Sequence, residues 1–309
     1  MVSSSQELLN CIKEQLKKRF NMKDLGEVIH FLGIEFSQDG DKIMMKQTKF
    51  LENILKRFQM ESCRPRTSPC ESNTQVYEQD LEPFDPRTYR EAVGSLVYAM
   101  MATRPDLCFV VSKLSQKLSA PTIGDFKMLK HVLQYIRGTT NDGLIFRYVE
   151  QPKLIGYTDS DWASASDRRS TTGYCFMLSE CGPAISWKTK RQASTALSTC
   201  EAEYMALSAA TQEAIYLARI LSEFLDAETK PVKIYCDNQG AIALVKNPVK
   251  HGRSKHIDIR YHFTREHVEK GTIELEYVPS NFNLADPFTK PLGRVKWVNF
   301  RKPLFGERA

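Results

Sequence analysis

Two apolar, β-branched runs in this chain each lead into an aspartate: residues 154–158 run up to Asp159, and residues 232–236 up to Asp237. Two further carboxylates, Glu203 and Asp286, stand where helices are expected to begin, in Glu201-Ala-Glu-Tyr-Met-Ala-Leu207 and Asn283-Leu-Ala-Asp286. The runs have the length and composition of buried strands. Strand tips and helix starts can gather at one edge of a sheet, so the fold must be one that brings four residues far apart in sequence to a common point. Several hard oxygen donors converging on one point are what a pair of Mg²⁺ ions needs from a protein. Taken singly, each carboxylate could equally be a solvated cap or turn residue; the set carries the metal reading.

The rest of the chain supplies the frame. Residues 6–20 place Leu8, Leu9, Ile12, Leu16 and Phe20 on one stripe, the period of an amphipathic helix whose other face is basic. Residues 28–36 and 42–46, separated by Gln38-Asp-Gly-Asp41, predict a hairpin, and residues 50–58 return to helical spacing. Pro65, Pro69, Pro83 and Pro86, with an acidic cluster between them, predict an extended segment over 60–86. Helices follow over 89–102, 106–118 and 125–137, then a strand over 143–148, and Glu150-Gln-Pro-Lys153 marks a boundary. Beyond it, strands over 154–158, 173–178 and 184–187 lead to a long helix opened by the capping-box spacing of Ser198-Thr-Cys-Glu201. A strand over 232–236, helices over 239–246 and 257–269, a strand over 272–278 and a final helix over 282–288 complete the pattern. The basic stretch Lys188-Thr-Lys-Arg-Gln192 reads as a loop before the long helix.

At 309 residues, 42% of them hydrophobic, the chain suits two domains better than one core. Its net charge of +6 admits a polyanionic partner without demanding one. The eight cysteines show no Cys-x-x-Cys or zinc-knuckle spacing, so neither a disulfide framework nor a structural zinc is indicated. The six histidines, His256, His262 and His267 among them, show no ligand spacing either. No signal peptide is recognisable, and the best apolar stretch, 93–102, is far too short to span a bilayer. The expectation is a soluble protein of a reducing compartment, cytoplasmic or nuclear, with no membrane partner.

Order, spacing and context of the four carboxylates match the ribonuclease H fold, and the surrounding words narrow the match. Asp161-Trp-Ala, Arg169-Ser-Thr-Thr-Gly-Tyr174, Ile185-Ser-Trp-Lys188, Ser198-Thr-Cys-Glu-Ala-Glu-Tyr-Met-Ala-Leu207, Lys255-His-Ile-Asp258 and Leu284-Ala-Asp-Pro-Phe-Thr-Lys-Pro-Leu292 together resemble the C-terminal ribonuclease H domain of copia-type LTR-retrotransposon Pol polyproteins. In the first half, Phe20-Asn-Met-Lys-Asp-Leu-Gly26, Phe31-Leu-Gly-Ile-Glu35, Tyr89-Arg-Glu-Ala-Val-Gly-Ser-Leu96, Thr103-Arg-Pro-Asp106 and Tyr135-Ile-Arg-Gly-Thr139 resemble the part of reverse transcriptase after its catalytic palm strand. The implied fold class is α/β: a ribonuclease H-like mixed five-stranded sheet with flanking helices, preceded by a smaller α+β reverse-transcriptase thumb/connection remnant. The implied division is a partial palm and primer-grip-like region over 1–60, a linker and helical thumb- or connection-like region over 61–149, the ribonuclease H-like domain over 150–292, and a C-terminal tail over 293–309.

By that resemblance Asp159 is the first-strand aspartate, Glu203 the glutamate early in the long helix, Asp237 the aspartate ending the fourth strand, and Asp286 the aspartate of the last helix. Together they are implied to hold two Mg²⁺, with Mn²⁺ as a substitute, and to hydrolyse the RNA strand of an RNA:DNA hybrid without a side-chain nucleophile. Asp161 shares the face of Asp159 on the strand, and register with the family favours Asp159. Lys188, Lys190, Arg191 and Gln192 offer phosphate contacts to the hybrid or, equally, a solvated basic loop. Ser198 and Thr199 are helix caps whose hydroxyls could also meet a ribose 2′-OH. The family's Tyr-Val-Asp-Asp metal pair is absent and no Asp-Asp occurs anywhere, so polymerase activity is not expected; the chain reads as a terminal or trimmed piece of Pol, with an upstream polymerase part as a candidate partner. Residues 278–285 lack the histidine that cellular ribonucleases H carry before the last aspartate, which implies slow turnover. The alternative is a catalytically idle retroelement remnant that binds nucleic acid or only folds.

Overall fold

The computed structural model describes residues 5–162, 168–225, 231–246 and 255–307, and the side chains of all these except 255–261. Ala163 of the Asp161-Trp-Ala word and the side chains of Lys255-His-Ile-Asp258, His256 included, lie outside the described residues. The first half opens on α1 (Gln6–Arg19), capped by Ser5, whose hydroxyl accepts from the Leu8 N–H; the helix buries none of its residues. A hairpin forms from β2 (Ile34–Asp39) and β3 (Lys42–Lys46), but the single strand expected over 28–36 is broken by a turn at Leu32 and Gly33, both at positive φ, which folds the short β1 (His30–Phe31) back antiparallel onto β2. Its fourth partner comes from much later in the chain: β4 (Gly143–Arg147) pairs antiparallel with β3.

Between these strands lie the helices α2 (Thr48–Arg57), α3 (Pro86–Ala102), α4 (Cys108–Ser115) and α5 (Ile123–Gly138). The α3 helix starts earlier than its apolar period suggests. The Asp85 carboxylate accepts from the Arg87 and Thr88 N–H groups, and Pro86, with no N–H to lose, fits the first turn. A reciprocal Thr122–Asp125 capping box starts α5.

The second half is built on β5 (Ile155–Asp161), β6 (Thr171–Met177), β7 (Ala184–Arg191), β8 (Val232–Cys236) and β9 (Ile273–Tyr277). They form one sheet in the order β7-β6-β5-β8-β9, antiparallel through β7-β6-β5 and parallel through β5-β8-β9. The long helix α6 (Thr199–Leu225) carries the chain from β7 across to β8, and α7 (Gln239–Lys246) and α8 (Lys255–Glu269) carry it on to β9.

Strand alternation divides this sheet between two cores. On β6, Tyr174 and Phe176 pack with Tyr204, Leu207, Ala210 and Ala214 of α6. Their neighbours Cys175 and Met177 enter a cluster with Leu96, Val111, Leu129 and Val132 of the first half. The helices α3, α4 and α5 thus cover the second face of the sheet, and the Trp187 indole N–H donates across the junction to Met100 O at 3.0 Å.

The segment after residue 292 is a structured element. Gly293 leads into α9 (Arg294–Phe305), whose Trp297, Phe300, Leu304 and Phe305 are buried, each contributing roughly 1.5–3 kcal/mol. Gly306 ends α9 in the left-handed region, at φ +74°, where a side chain would be strained. No helix among the described residues is long and apolar enough to cross a membrane.

Candidate metal centre

Because β5 and β8 run parallel with Thr158 opposite Cys236, the residues that follow, Asp159 and Asp237, meet at the same sheet edge. Asp286 arrives from the far end of the chain. It sits on a single 3-10 turn, Asp286–Phe288, and not on the final α-helix expected over 282–288. Pro287 and the tight turn explain the difference: the Asn283 side chain takes the Ala285 N–H and donates its own amide to Thr158 O at 3.0 Å, pinning a loop against β5 instead of starting a helix. Gly173 on β6 allows this approach, since a Cβ there would come within 2.6 Å of Thr289 Cγ2 and 2.8 Å of Phe288 Cβ. Carboxylate oxygens of Asp159, Asp237 and Asp286 lie within 4.8 Å of one another.

Glu203 reaches the same edge from the first turns of α6. That helix starts at the expected place: Ser198 Oγ accepts from the Glu201 N–H at 3.2 Å, and Glu201 reaches back to the Leu197 N–H at 2.8 Å. A carboxylate oxygen of Glu203, Cys236 Sγ and an oxygen of Asp237 form a second group within 4.8 Å. Asp161, at the end of β5, belongs to neither group among the described residues. It lines, with Thr171, Thr189 and Arg191, one wall of a cleft of about 530 Å³ whose opposite wall carries Lys113, Gln116 and Lys117.

The site concentrates negative charge, and three of its four carboxylates are buried while Asp237 is half-buried. Asp159 is 2% exposed, Glu203 6% and Asp286 0%. Burial, reinforced by the charges of Asp286 and Asp237, pushes the Asp159 carboxyl up to about 6, against the pull of Lys290 and the Thr289 hydroxyl. Glu203 is pushed well above the usual carboxylate range by burial and then by Asp159 and Asp237. The Cys236 thiol is also pushed well up, by burial first and then by Glu203. Glu203 Oε2 is buried without a hydrogen-bond partner.

Two lysines answer part of this charge. Lys290 Nζ lies 2.9 Å from Asp286 Oδ1 and 3.6 Å from Asp159 Oδ2, and Lys296 Nζ, from α9, binds Asp286 Oδ2. Burial works against the Lys290 ammonium, and Asp159 and Asp286 more than offset it, so its pKa is raised. Neither lysine was assigned a role from sequence, nor was Thr289, whose hydroxyl donates to Asp159. Trp297, Phe300 and Leu304, at helical spacing before Gly306, are the signal that could have revealed α9; nothing local connects Lys296 to Asp286.

The expected nucleic-acid contacts are placed differently from one another. Lys188, Lys190 and Arg191 are not on a loop, because β7 continues through them paired with β6 to Thr171↔Arg191. Lys188 and Lys190 are exposed and line a groove of about 270 Å³ against α6, while Arg191 donates to Gln116 Oε1. Gln192 is 6% exposed, and its amide nitrogen is directed inward to Thr172 Oγ1, Ala202 O and Ser160 Oγ, so it ties β5, β6 and α6 together beneath the surface. Ser198 is a half-buried cap and Thr199 is exposed beside it.

A mixed sheet of this order, with a long helix on one face and carboxylates gathered at the β5–β8 edge, defines a ribonuclease H-like α/β fold. The chain belongs to the copia-type family of retrovirus-related transposon Pol polyproteins. It is 40% identical to the Pol polyprotein from transposon TNT 1-94 of Nicotiana tabacum and 37% identical to that from transposon RE1 of Arabidopsis thaliana, over 96% and 95% of its length. It spans only 23% and 20% of those two proteins. An uncharacterized mitochondrial protein of Arabidopsis thaliana, AtMg00810, is 38% identical over 69% of this chain and 88% of its own length. The family pattern described as reverse transcriptase (RNA-dependent DNA polymerase) matches residues 1–72. Among solved structures, the foamy viral protease-reverse transcriptase in complex with RNA/DNA hybrid is 14% identical, covering 95% of this chain and 36% of that one with a TM-score of 0.49. Ribonuclease H1 from Halobacterium salinarum is 16% identical over 44% of this chain and 94% of its own, with a TM-score of 0.34.

Proposed function

We propose that this chain hydrolyses the RNA strand of RNA:DNA hybrids, with divalent cations held by Asp159, Glu203, Asp237 and Asp286. The observation that carries the reading is the convergence of Asp159, Asp237 and Asp286 within 4.8 Å at a buried edge that their own charges destabilise. The donor set fits Mg²⁺ or Mn²⁺: hard oxygens, one of them, Glu203 Oε2, buried and unsatisfied. Bound divalent cations would supply the charge that activates an attacking water and stabilises the leaving 3′ oxygen. The chain's own residues hold the frame for this. Thr289 orients Asp159, Asn283 fixes the turn bearing Asp286, and the Ser198 cap sets the start of the helix that presents Glu203.

Lys188 and Lys190 then meet hybrid phosphates, and the polar cleft between α4 and the β6–β7 edge offers a further basic wall at Lys113 and Lys117. On this reading the catalytic unit is residues 150–292 together with α9, and residues 1–149 grip the hybrid or an upstream polymerase part of Pol.

A second reading has one observation in its favour: the ammonium groups of Lys290 and Lys296 already neutralise Asp286. On it, the chain is an idle remnant that needs no metal. Single-turnover cleavage of a labelled hybrid, with and without Mg²⁺, separates the two. Asp237→Asn should slow cleavage by at least about a hundredfold with an unchanged circular dichroism spectrum, and Asp161→Asn by less than about tenfold. Wild-type chain that never cleaves decides for the idle remnant. Cleavage lost in Asp161→Asn but kept in Asp159→Asn would show the wrong aspartate was chosen on β5.

A further inference from the structure

We propose that Glu203, Cys236 and Asp237 form a distinct binding mode of this edge for a thiophilic divalent cation of the zinc or cobalt class. Cys236 Sγ and one carboxylate oxygen each from Glu203 and Asp237 lie within 4.8 Å of one another. A shared ion at bond lengths of about 2.0–2.3 Å closes that triangle with small side-chain shifts. Independently of the sulfur, the unpartnered Oε2 belongs to a side chain only 6% exposed, and such an atom calls for a ligand. The sulfur is held in place by Asn238, whose N–H donates to Cys236 Sγ at 3.5 Å and whose carbonyl oxygen lies 4.0 Å from it.

Donor chemistry divides the edge in two. Asp159, Asp237 and Asp286 present oxygens alone, which suit Mg²⁺; adding a thiol selects zinc, cobalt or cadmium, and Mg²⁺ has no use for it. As the metal–sulfur bond forms, the S–H bond breaks and its proton leaves to the buffer, with no change of oxidation state. Asp237 belongs to both groups, so a thiophilic ion draws it, with Glu203, away from the oxygen set. The metal-binding statement stands without the proposed hydrolysis; the inhibition it implies rests on that reading.

The test is to titrate Co²⁺ into the full chain in excess Mg²⁺ and follow thiolate-to-cobalt charge transfer in the near ultraviolet. One equivalent should produce the band. Cys236→Ser should abolish it, while Cys11→Ser, Cys181→Ser and Cys200→Ser keep it. No band in the wild type, or a band that survives Cys236→Ser, overturns the proposal. Should Cys236→Ser fail to fold, Glu203→Gln decides: it keeps the thiol and should bind Co²⁺ at least roughly tenfold more weakly, and unchanged affinity overturns the proposal. A chain that shows the band yet cleaves no hybrid sinks the hydrolysis and leaves this site standing; one that cleaves without the band does the reverse.

Discussion

Two buried charge clusters in this molecule are built on opposite principles. In the first half, Arg104 and Asp106 are both fully buried, and every strong group has an answer. The Arg104 guanidinium binds both Asp106 oxygens at 2.9 and 2.7 Å and donates to Thr139 O and Oγ1 at 3.0 and 2.8 Å, while Tyr135 donates to Asp106 at 2.7 Å. Two sequence words, Thr103-Arg-Pro-Asp106 and Tyr135-Ile-Arg-Gly-Thr139, are thereby one structural clamp, capped by the Phe305 ring of α9. At the β5–β8 edge, four carboxylates share two lysines, one oxygen is orphaned, and two of the acids resist ionisation. The first cluster is closed and serves the fold. The second is held under strain by the fold around it, which is how a site for an external cation differs from an internal ion pair.

That contrast can be broken most directly by removing one charge from each cluster. Arg104→Met strands Asp106 in the core and should cost about 3–5 kcal/mol, read as a lower urea midpoint. Asp159→Asn should leave metal-free stability at pH 7 unchanged or higher while abolishing cleavage. Equal destabilisation by the two variants would erase the distinction drawn here.

The next effect is one of pH. Asp159 titrates near 6 in the fold against an ordinary value of 3.8, so the folded protein keeps a proton that the unfolded chain has released. Its contribution is therefore present at low pH and lost as pH rises through about 4 to 6, a change of about 3 kcal/mol in the metal-free protein. His131, lowered by burial and then by Arg66, works in the opposite sense as pH falls, so the informative quantity is wild type minus Asp159→Asn. That difference in unfolding free energy should shrink toward pH 4 and under saturating Mg²⁺ at pH 7; a flat difference contradicts the electrostatic account.

A smaller effect is expected at the lysines. Lys296→Met leaves Asp286 with Lys290 alone and should tighten Mg²⁺ binding several-fold, roughly 1 kcal/mol, measured from the Mg²⁺ dependence of the melting temperature. Weaker Mg²⁺ binding in this variant would mean that Lys296 positions the carboxylate instead of competing for it. The smallest is at the surface: neutralising Lys188 and Lys190 together should reduce the salt slope of hybrid binding by about two, since Arg191 is already engaged with Gln116. An unchanged slope returns both lysines to the solvated face.

Much of the second half was legible because its signals are local. The strand over 232–236 and the helix over 239–246 stand where their periodicity placed them, and Ser198 caps α6 as its spacing implied. Of the carboxylates, Asp237 stands directly after β8 and Asp286 opens its turn, whereas Asp159 lies inside β5, which runs on to Asp161, and Glu203 lies inside α6. What failed were features whose cause lies elsewhere in the chain. The β7 strand runs on through Lys188, Lys190 and Arg191 because β6 offers partners as far as Thr171, which a basic stretch cannot announce. Gln192 looked like part of a surface loop, and its amide is instead consumed by three acceptors inside the fold.

The sequence by itself determined which residues could form most of the strands and helices and where α6 and β8 lie, since periodicity and capping act within a few residues. Only the tertiary structure decided that the two halves share a core across the second face of the sheet, that α9 folds back to deliver Lys296 to Asp286, and that Gly173 leaves room for the Asp286 turn. These are contacts between residues distant along the chain, set by how apolar faces must be covered and how closely backbones can approach. No local pattern encodes them.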